Sequence, residues 1–197
     1  MKSEIPTRYT PMARALHWLV ALAVVGQLTL GFWMIQIPNT PPGAQAKWFN
    51  LHKSIGLTLA TLIVIRIVWR LTHRPPALPT SVPDWQRRIA SVSHALMYVC
   101  MIVMPLAGYL GSIFSGYPIK YFGSTLPGWG WKDDALKEFF SAVHYGTAWI
   151  FMSLIALHVA AAMKHLLLDR DAVFARMWPR ARSGHADAAP IVRRQGT

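Results

Sequence analysis

The sequence predicts an all-α fold, an integral membrane four-helix bundle with both termini cytoplasmic, and three observations predict it. Only 14% of the 197 residues are charged while 53% are hydrophobic, against about 25% charged in an ordinary soluble domain. Uncharged runs of about 20 residues, enough in helical form to cross a bilayer core, recur four times. The basic residues gather in alternate connections between those runs, as a membrane topology requires.

The first run, Ala15 to Ile37, contains no Asp, Glu, Lys or Arg and stops at Pro38-Asn39-Thr40-Pro41-Pro42-Gly43, a cluster of helix breakers. It is too long for the apolar stretch of a signal peptide and no small-residue cleavage site follows, so a retained helix is expected. The second run, Leu51 to Trp69, carries Lys53 near its start and Arg66 near its end, and Pro75, Pro76, Pro79 and Pro83 close it. The third, Ile89 to Phe114, is uncharged but contains Pro105, which membrane helices tolerate, commonly with a kink. The fourth, Phe139 to Met163, is again uncharged.

Between the third and fourth runs, Ser115 to Glu138 holds Gly116, Tyr117, Pro118, Tyr121, Phe122, Gly123, Pro127, Gly128, Trp129 and Trp131. That composition suggests an aromatic cap on the outer mouth of the bundle. One membrane domain over residues 8–180 is therefore expected. Residues 181–197 form a polar, Ala/Arg-rich tail expected to be disordered.

Orientation follows from the basic residues near the ends of the runs. The N-terminus, the second connection and the C-terminus share one side, and with Arg66 that side holds 15 of the 20 Lys and Arg. The other side has Lys47, Lys53, Lys120, Lys132 and Lys137, partly offset by Asp133, Asp134 and Glu138. Positive-inside placement then puts both termini in the cytoplasm of a bacterial inner-membrane, multi-pass protein. Trp33, Trp48, Trp69, Trp85, Trp129, Trp131 and Trp178 fall near run ends or in connections, as an interfacial aromatic belt does.

A net charge of +12 would suggest nucleic-acid binding in a soluble protein. Here topology accounts for it, and no basic stripe with interleaved aromatics stands apart from the apolar runs. The single cysteine, Cys100, is expected to be a small packing residue. One cysteine excludes an intrachain disulfide, a cysteine-ligated iron–sulfur cluster and covalent attachment of c-type haem.

Chemistry enters with the histidines, because ionisable groups inside a bilayer are costly and usually functional. Of eight, His73, His165 and His185 lie in connections, the tail or a helix end, and His17, His52, His94, His144 and His158 fall within the runs. His144 and His158 are 14 residues apart on one helix. Fourteen steps end about 40° short of four full turns and about 21 Å along the axis, so both rings leave one face at opposite depths. His52 opens the second run on the outer side, level with His144. His17 opens the first on the inner side, level with His158.

Two facing pairs follow, each suited to a haem iron with two neutral imidazole ligands held between helices of a bundle. The same displacement leads from His17 to Gly31 and from His94 to Gly108, placing small residues at the outer level. From His52 it leads to Arg66, a cation at the inner level able to pair with a haem propionate. The competing reading is a set of polar core histidines hydrogen-bonded across helices. A single zinc or copper site fits less well, because the four rings cannot converge axially and no Cys/Asp/Glu cluster sits at ligand spacing.

These residues resemble the bacterial cytochrome b561 family, within the larger group that includes the membrane cytochrome subunits of nickel–iron hydrogenases and formate dehydrogenases. The resemblance rests on Arg14-Ala15-Leu16-His17-Trp18, His52-Lys53-Ser54-Ile55-Gly56, Met104-Pro105-Leu106-Ala107-Gly108, the His144/His158 pair and Met177-Trp178-Pro179, and covers roughly residues 8 to 180. It implies two haem b groups, the inner on His17 and His158 and the outer on His52 and His144, the pairing also reached from depth.

It further implies electron transfer between a donor on one side and a quinone. Short stand-alone members are similar to superoxide oxidase, an oxidoreductase taking electrons from superoxide and delivering them to ubiquinone. On that reading Lys53, Lys47, Lys120, Lys132 and Lys137 give a positive field that draws superoxide in; otherwise they are ordinary solvated charges. His94, at inner depth, is open to three roles: haem ligand, neighbour of a ligand, or lining of a quinone pocket. His165, with Lys164 adjacent, is placed to hydrogen-bond a quinone carbonyl, or is an interfacial histidine in water.

Two other functions stand beside this one. A membrane anchor would relay electrons between a partner dehydrogenase or hydrogenase subunit and quinone. A haem-free binding or transport protein with a histidine-lined interior would show no visible absorption. None of the four runs contains Asp or Glu, so no acid–base dyad lies within them, and the chemistry would be the cofactor's.

Overall fold

The computed structural model describes residues 8–77, 79 and 82–178. Four helices cross it: α1 (Pro11–Met34), α2 (Ala46–Thr72), α3 (Asp84–Ile113) and α4 (Asp134–Lys164), all long and apolar enough to span a membrane. The expected disordered tail, with His185 in it, lies outside the described residues.

Each helix starts four or five residues before its apolar run, and in α1 and α4 a polar side chain caps the start. Thr10 Oγ1 accepts from Ala13 N (3.2 Å) with Pro11 following, a start signal in which proline's missing N–H costs nothing. Asp133 Oδ1 does the same for α4, accepting from Leu136 N (3.0 Å). The end of α1 falls short of the expected Ile37: the helix stops at Met34, and Gln36 N and Ile37 N donate to Trp33 O and Met34 O in a tightened turn ahead of Pro38. α3 continues through Pro105 without a break.

α1 packs on α2, and α3 packs on α4, so the bundle is two hairpins face to face, bridged by contacts between α2 and α3. Its central layer is apolar: Val20, Val24 and Leu28 from α1, Leu59 and Ile63 from α2, Cys100 and Met101 from α3, Ala148 and Phe151 from α4. Large apolar side chains also point outward, among them Leu22, Val64, Ile102 and Ile150. In water that would be costly, whereas beside acyl chains it costs nothing.

Both ends are closed by segments outside the helices. At the inner end Arg14 Nη1 donates to Trp178 O (3.1 Å) and Trp18 Nε1 to Met177 O (2.9 Å), docking the chain after α4 on the first turns of α1. At the outer end the expected cap contains a short hairpin, β1 (Lys120–Tyr121) with β2 (Ser124–Thr125), paired Lys120 to Thr125 and Tyr121 to Ser124. Phe122 (φ 46°) and Gly123 (φ 97°) make its turn, the two-residue turn whose twist matches antiparallel strands. Phe114 stacks with Phe140 and meets Trp129 and Trp131 edge-on.

Ser54 ties this cap to α2. Its Oγ receives Phe122 N (2.9 Å) and reaches the carbonyl oxygens of Asn50 (2.8 Å) and Lys120 (3.3 Å). It is the largest side chain buried to 2%. A hydroxyl offers one proton and two lone pairs, so donating to the two carbonyls in shared fashion and accepting from Phe122 uses what Ser54 has.

Candidate functional site

The described histidines of the helices form two layers separated by the apolar centre. In the outer layer His52 of α2 faces His144 of α4, ring centres 6.2 Å apart and planes at 82°. In the inner layer His17 of α1 faces His158 of α4 at 6.3 Å and 64°. With metal–imidazole bonds of about 2 Å on each side, and the depth of each ring behind its nitrogen, an iron between two imidazoles holds the ring centres roughly 6 Å apart. Both pairs have that separation, so each could hold one haem iron.

A cavity of about 800 Å³ opens between the hairpins at the outer layer, lined by His52, His144 and largely apolar residues. Its size is that of a site for a large organic ligand. Two glycines shape it. A Cβ on Gly31 would fall 3.1 Å from Cε1 of His52, and one on Gly108 would fall 2.9 Å from Nδ1 of His144. Each histidine ring thus lies against the backbone of the next helix. His144 Nδ1 stands 2.7 Å from Met104 O; since a carbonyl only accepts, Nδ1 carries the proton and Nε2 is left with a lone pair for a metal. His52 Nδ1 is buried without a partner, while Gln27 Nε2 donates to the His52 carbonyl (2.7 Å).

The inner layer contains a third ring. His94 of α3 lies 5.4 Å from His158, closer than the two metal-spaced pairs and so less suited to an iron in between. Arg66 reaches the same layer, with Nη2 3.0 Å from His17 Nδ1. A guanidinium only donates, so His17 Nδ1 is the acceptor.

Beyond Lys164 the helix widens into a π turn over His165–Asp169, ended by Arg170 in the left-handed region (φ 51°). Such turns often occur at functional positions. Here the turn brings His165 Nδ1 to 2.7 Å from Asp171 Oδ2 and 3.3 Å from Asp169 Oδ2, and Lys164 Nζ to 2.5 Å from Asp169. The three ligand-type atoms of His165, Asp169 and Asp171 lie within 4.8 Å of one another, but Lys164 already supplies Asp169 with a cation.

The five outer lysines sit in different surroundings. Lys53 and Lys137 line the outer cavity. Lys47 instead sits over the Trp48 ring (5.0 Å), Lys132 pairs with Asp134 (3.7 Å), and Lys120 lies in the hairpin. Reasoning from sequence missed Gln27 and the acids Asp169 and Asp171. Gln27 had a signal, being a polar residue one helical turn before Gly31, and so had Asp169, four residues after His165; Asp171 had none, because its approach to His165 depends on the chain reversing at Arg170.

Comparison with known proteins gives the family. A family model described as prokaryotic cytochrome b561 matches residues 8–180. Cytochrome b561 homolog 2 of Escherichia coli (strain K12) is 34% identical over 188 residues, 93% of this chain and 97% of the relative. Cytochrome b561 homolog 1 of the same organism is 24% identical, covering 88% of this chain and 98% of the relative. The probable superoxide oxidase CybB of Yersinia pestis is 27% identical, covering 89% and 98%.

Proposed function

This chain belongs to the prokaryotic cytochrome b561 family of membrane electron-transfer proteins, and we propose that it carries two b-type haems in series between an outer electron donor and a quinone on the inner side. The observation that carries the reading is the pair of facing histidine couples, 6.2 and 6.3 Å between ring centres, at two depths of one bundle. His52 and His144 would hold the outer haem, His17 and His158 the inner one. Bound there, haem iron supplies the one-electron redox chemistry that no side chain of the bundle offers.

The protein's own part is to fix ligands and exclude water. The Met104 carbonyl holds the proton of His144 on Nδ1, and Gly31 and Gly108 let the rings of His52 and His144 come close to neighbouring helices. Ligation through Nε2 of His17 puts its ring proton on Nδ1, where Arg66 can no longer donate. Arg66 would then be free to pair with a haem propionate. His94 packs beside His158 as a neighbour of the inner ligand.

Superoxide is the proposed outer donor, since the Yersinia relative is described as a probable superoxide oxidase and Lys53 and Lys137 place two cations on the outer cavity. Two superoxide ions give up one electron each and leave as dioxygen. The quinone takes both electrons and two protons. His165, bonded to Asp171 near the inner surface, is placed to pass a proton to a quinone oxygen, with Lys164 beside it. We place the protein in the bacterial inner membrane with both termini in the cytoplasm, on the distribution of Lys and Arg.

A reduced-minus-oxidised visible spectrum with a pyridine haemochrome count tests the cofactor reading. Two haems per chain are expected, one lost in His52→Ala or His144→Ala and the other in His17→Ala or His158→Ala. A folded but colourless protein would end the proposal, and a dihaem protein inert to superoxide and quinone would confine it to electron relay for a partner subunit.

A further inference from the structure

At the inner end of the bundle lies a second, much smaller cavity of about 80 Å³, open to the surface beside Arg8 and Arg74. Arg8, Arg66, Arg70 and Arg74 line it together with Trp69, and its lining contains no Asp or Glu. Positive-inside topology explains why arginines lie near this surface. It does not explain why four of them, from the segment before α1 and from the end of α2, converge on one cavity, since like charges brought together repel. Among the described residues none of the four forms an ion pair with a carboxylate.

Two donors at this cavity are buried and bonded to nothing: Nε of Arg66 and Nε1 of Trp69. The Trp69 indole is held in place by stacking on His73, ring centres 3.8 Å apart and planes within 6°. A buried donor without an acceptor is expensive, and two such donors among four guanidinium groups that no described carboxylate neutralises suit an acceptor of negative charge.

We infer that this cavity is an oxyanion site that takes a phosphate group, supplied in the membrane by the headgroup of an anionic phospholipid. At about 80 Å³ against about 800 Å³ for the outer cavity, its size suits a tetrahedral oxyanion better than a macrocycle. Guanidinium forks match phosphate oxygens in pairs. Basic pockets between membrane helices at the cytoplasmic surface are a recognised setting for anionic headgroups.

The test uses the full chain in detergent, stripped of lipid, with melting followed as short-chain phosphatidylglycerol, phosphatidylcholine or inorganic phosphate is added. Bound phosphorus and haem per chain are counted in the same samples. Phosphatidylglycerol is expected to raise the melting temperature, phosphatidylcholine to leave it unchanged, and Arg70→Gln/Arg74→Gln to need about tenfold or more phosphatidylglycerol for the same rise. The single variant Arg74→Gln, at an exposed position beyond α2, gives a smaller shift of the same sign and keeps the test readable if the double variant does not fold. An equal effect of inorganic phosphate would support the oxyanion site with a soluble source. A double variant that responds as the parent does overturns the inference. So does one that loses haem while its bound phosphorus is unchanged, because the cavity would then serve a haem carboxylate.

Discussion

Gly108 of α3 and His144 of α4 touch so closely that a Cβ on the glycine would lie 2.9 Å from Nδ1 of the histidine, nearer than real Cβ contacts come. The approach lets His144 reach the Met104 carbonyl one turn away (2.7 Å), and that bond orients the ring towards His52. Gly108→Ala is therefore expected to rotate or displace His144 and cost the outer haem. About one haem per chain should remain, measured by pyridine haemochrome. Gly31→Ala, 3.1 Å from Cε1 of His52, should be milder, with a shifted spectrum and partial loss. Full haem content with an unaltered spectrum in Gly108→Ala would show that this approach does not position a ligand.

Ser54 gives a prediction about the cap. Its buried hydroxyl is the junction between α2 and the hairpin at Lys120 and Phe122. Ser54→Ala leaves the Phe122 N–H without its acceptor, at a cost of about 1–3 kcal/mol. The melting temperature should fall by several degrees, and protease cutting near Phe122 should accelerate while both haems stay bound. Cleavage unchanged from the parent would mean that the aromatic contacts of Phe114 hold the cap without Ser54.

The spans and the histidine layers could be read from the chain because both are periodic along single helices. The 14-residue step from His144 to His158 needs only the helical repeat to place two rings on one face. What could not be read depends on contacts between segments. The hairpin turn at Phe122-Gly123 lacks the Asn-Gly or Asp-Gly signal that usually marks such turns. The partner of Gln27 is a carbonyl on another helix, which no periodicity on α1 reveals. The motif pieces Arg14…Trp18 and Met177-Trp178 were visible as a resemblance, and the structure supplies their physical link, two side-chain donors on α1 holding two carbonyls of the closing segment.

The outer lysines separate into two groups with different expected effects. Lys53 and Lys137 line the cavity, so neutralising either with Gln should slow reaction with superoxide about 2–10-fold at low salt, and the difference should shrink as ionic strength rises. Lys132→Gln, removing a charge already paired with Asp134, and Lys47→Gln, removing one that sits on Trp48, should change the rate little. Stopped-flow oxidation of superoxide at several salt concentrations reads all four. Equal slowing in all four variants would point to net charge rather than to the cavity.

His94 decides how the inner layer is built, because three rings compete for two ligand positions there. The His94–His158 separation of 5.4 Å is shorter than the 6.3 Å of His17–His158, while the latter matches the 6.2 Å of the outer pair. Since iron with two imidazoles would set that distance through fixed bonds, the proposed ligands are the matching pair, with His94 as a neighbour of His158. His94→Ala is expected to retain two haems per chain, with the inner haem's midpoint potential shifted and the outer one's unchanged. His17→Ala should lose the inner haem. If instead His94→Ala loses a haem and His17→Ala keeps two, the ligand pair is His94 and His158, and Arg66 would then hold His17 as part of the propionate environment rather than compete with iron for it.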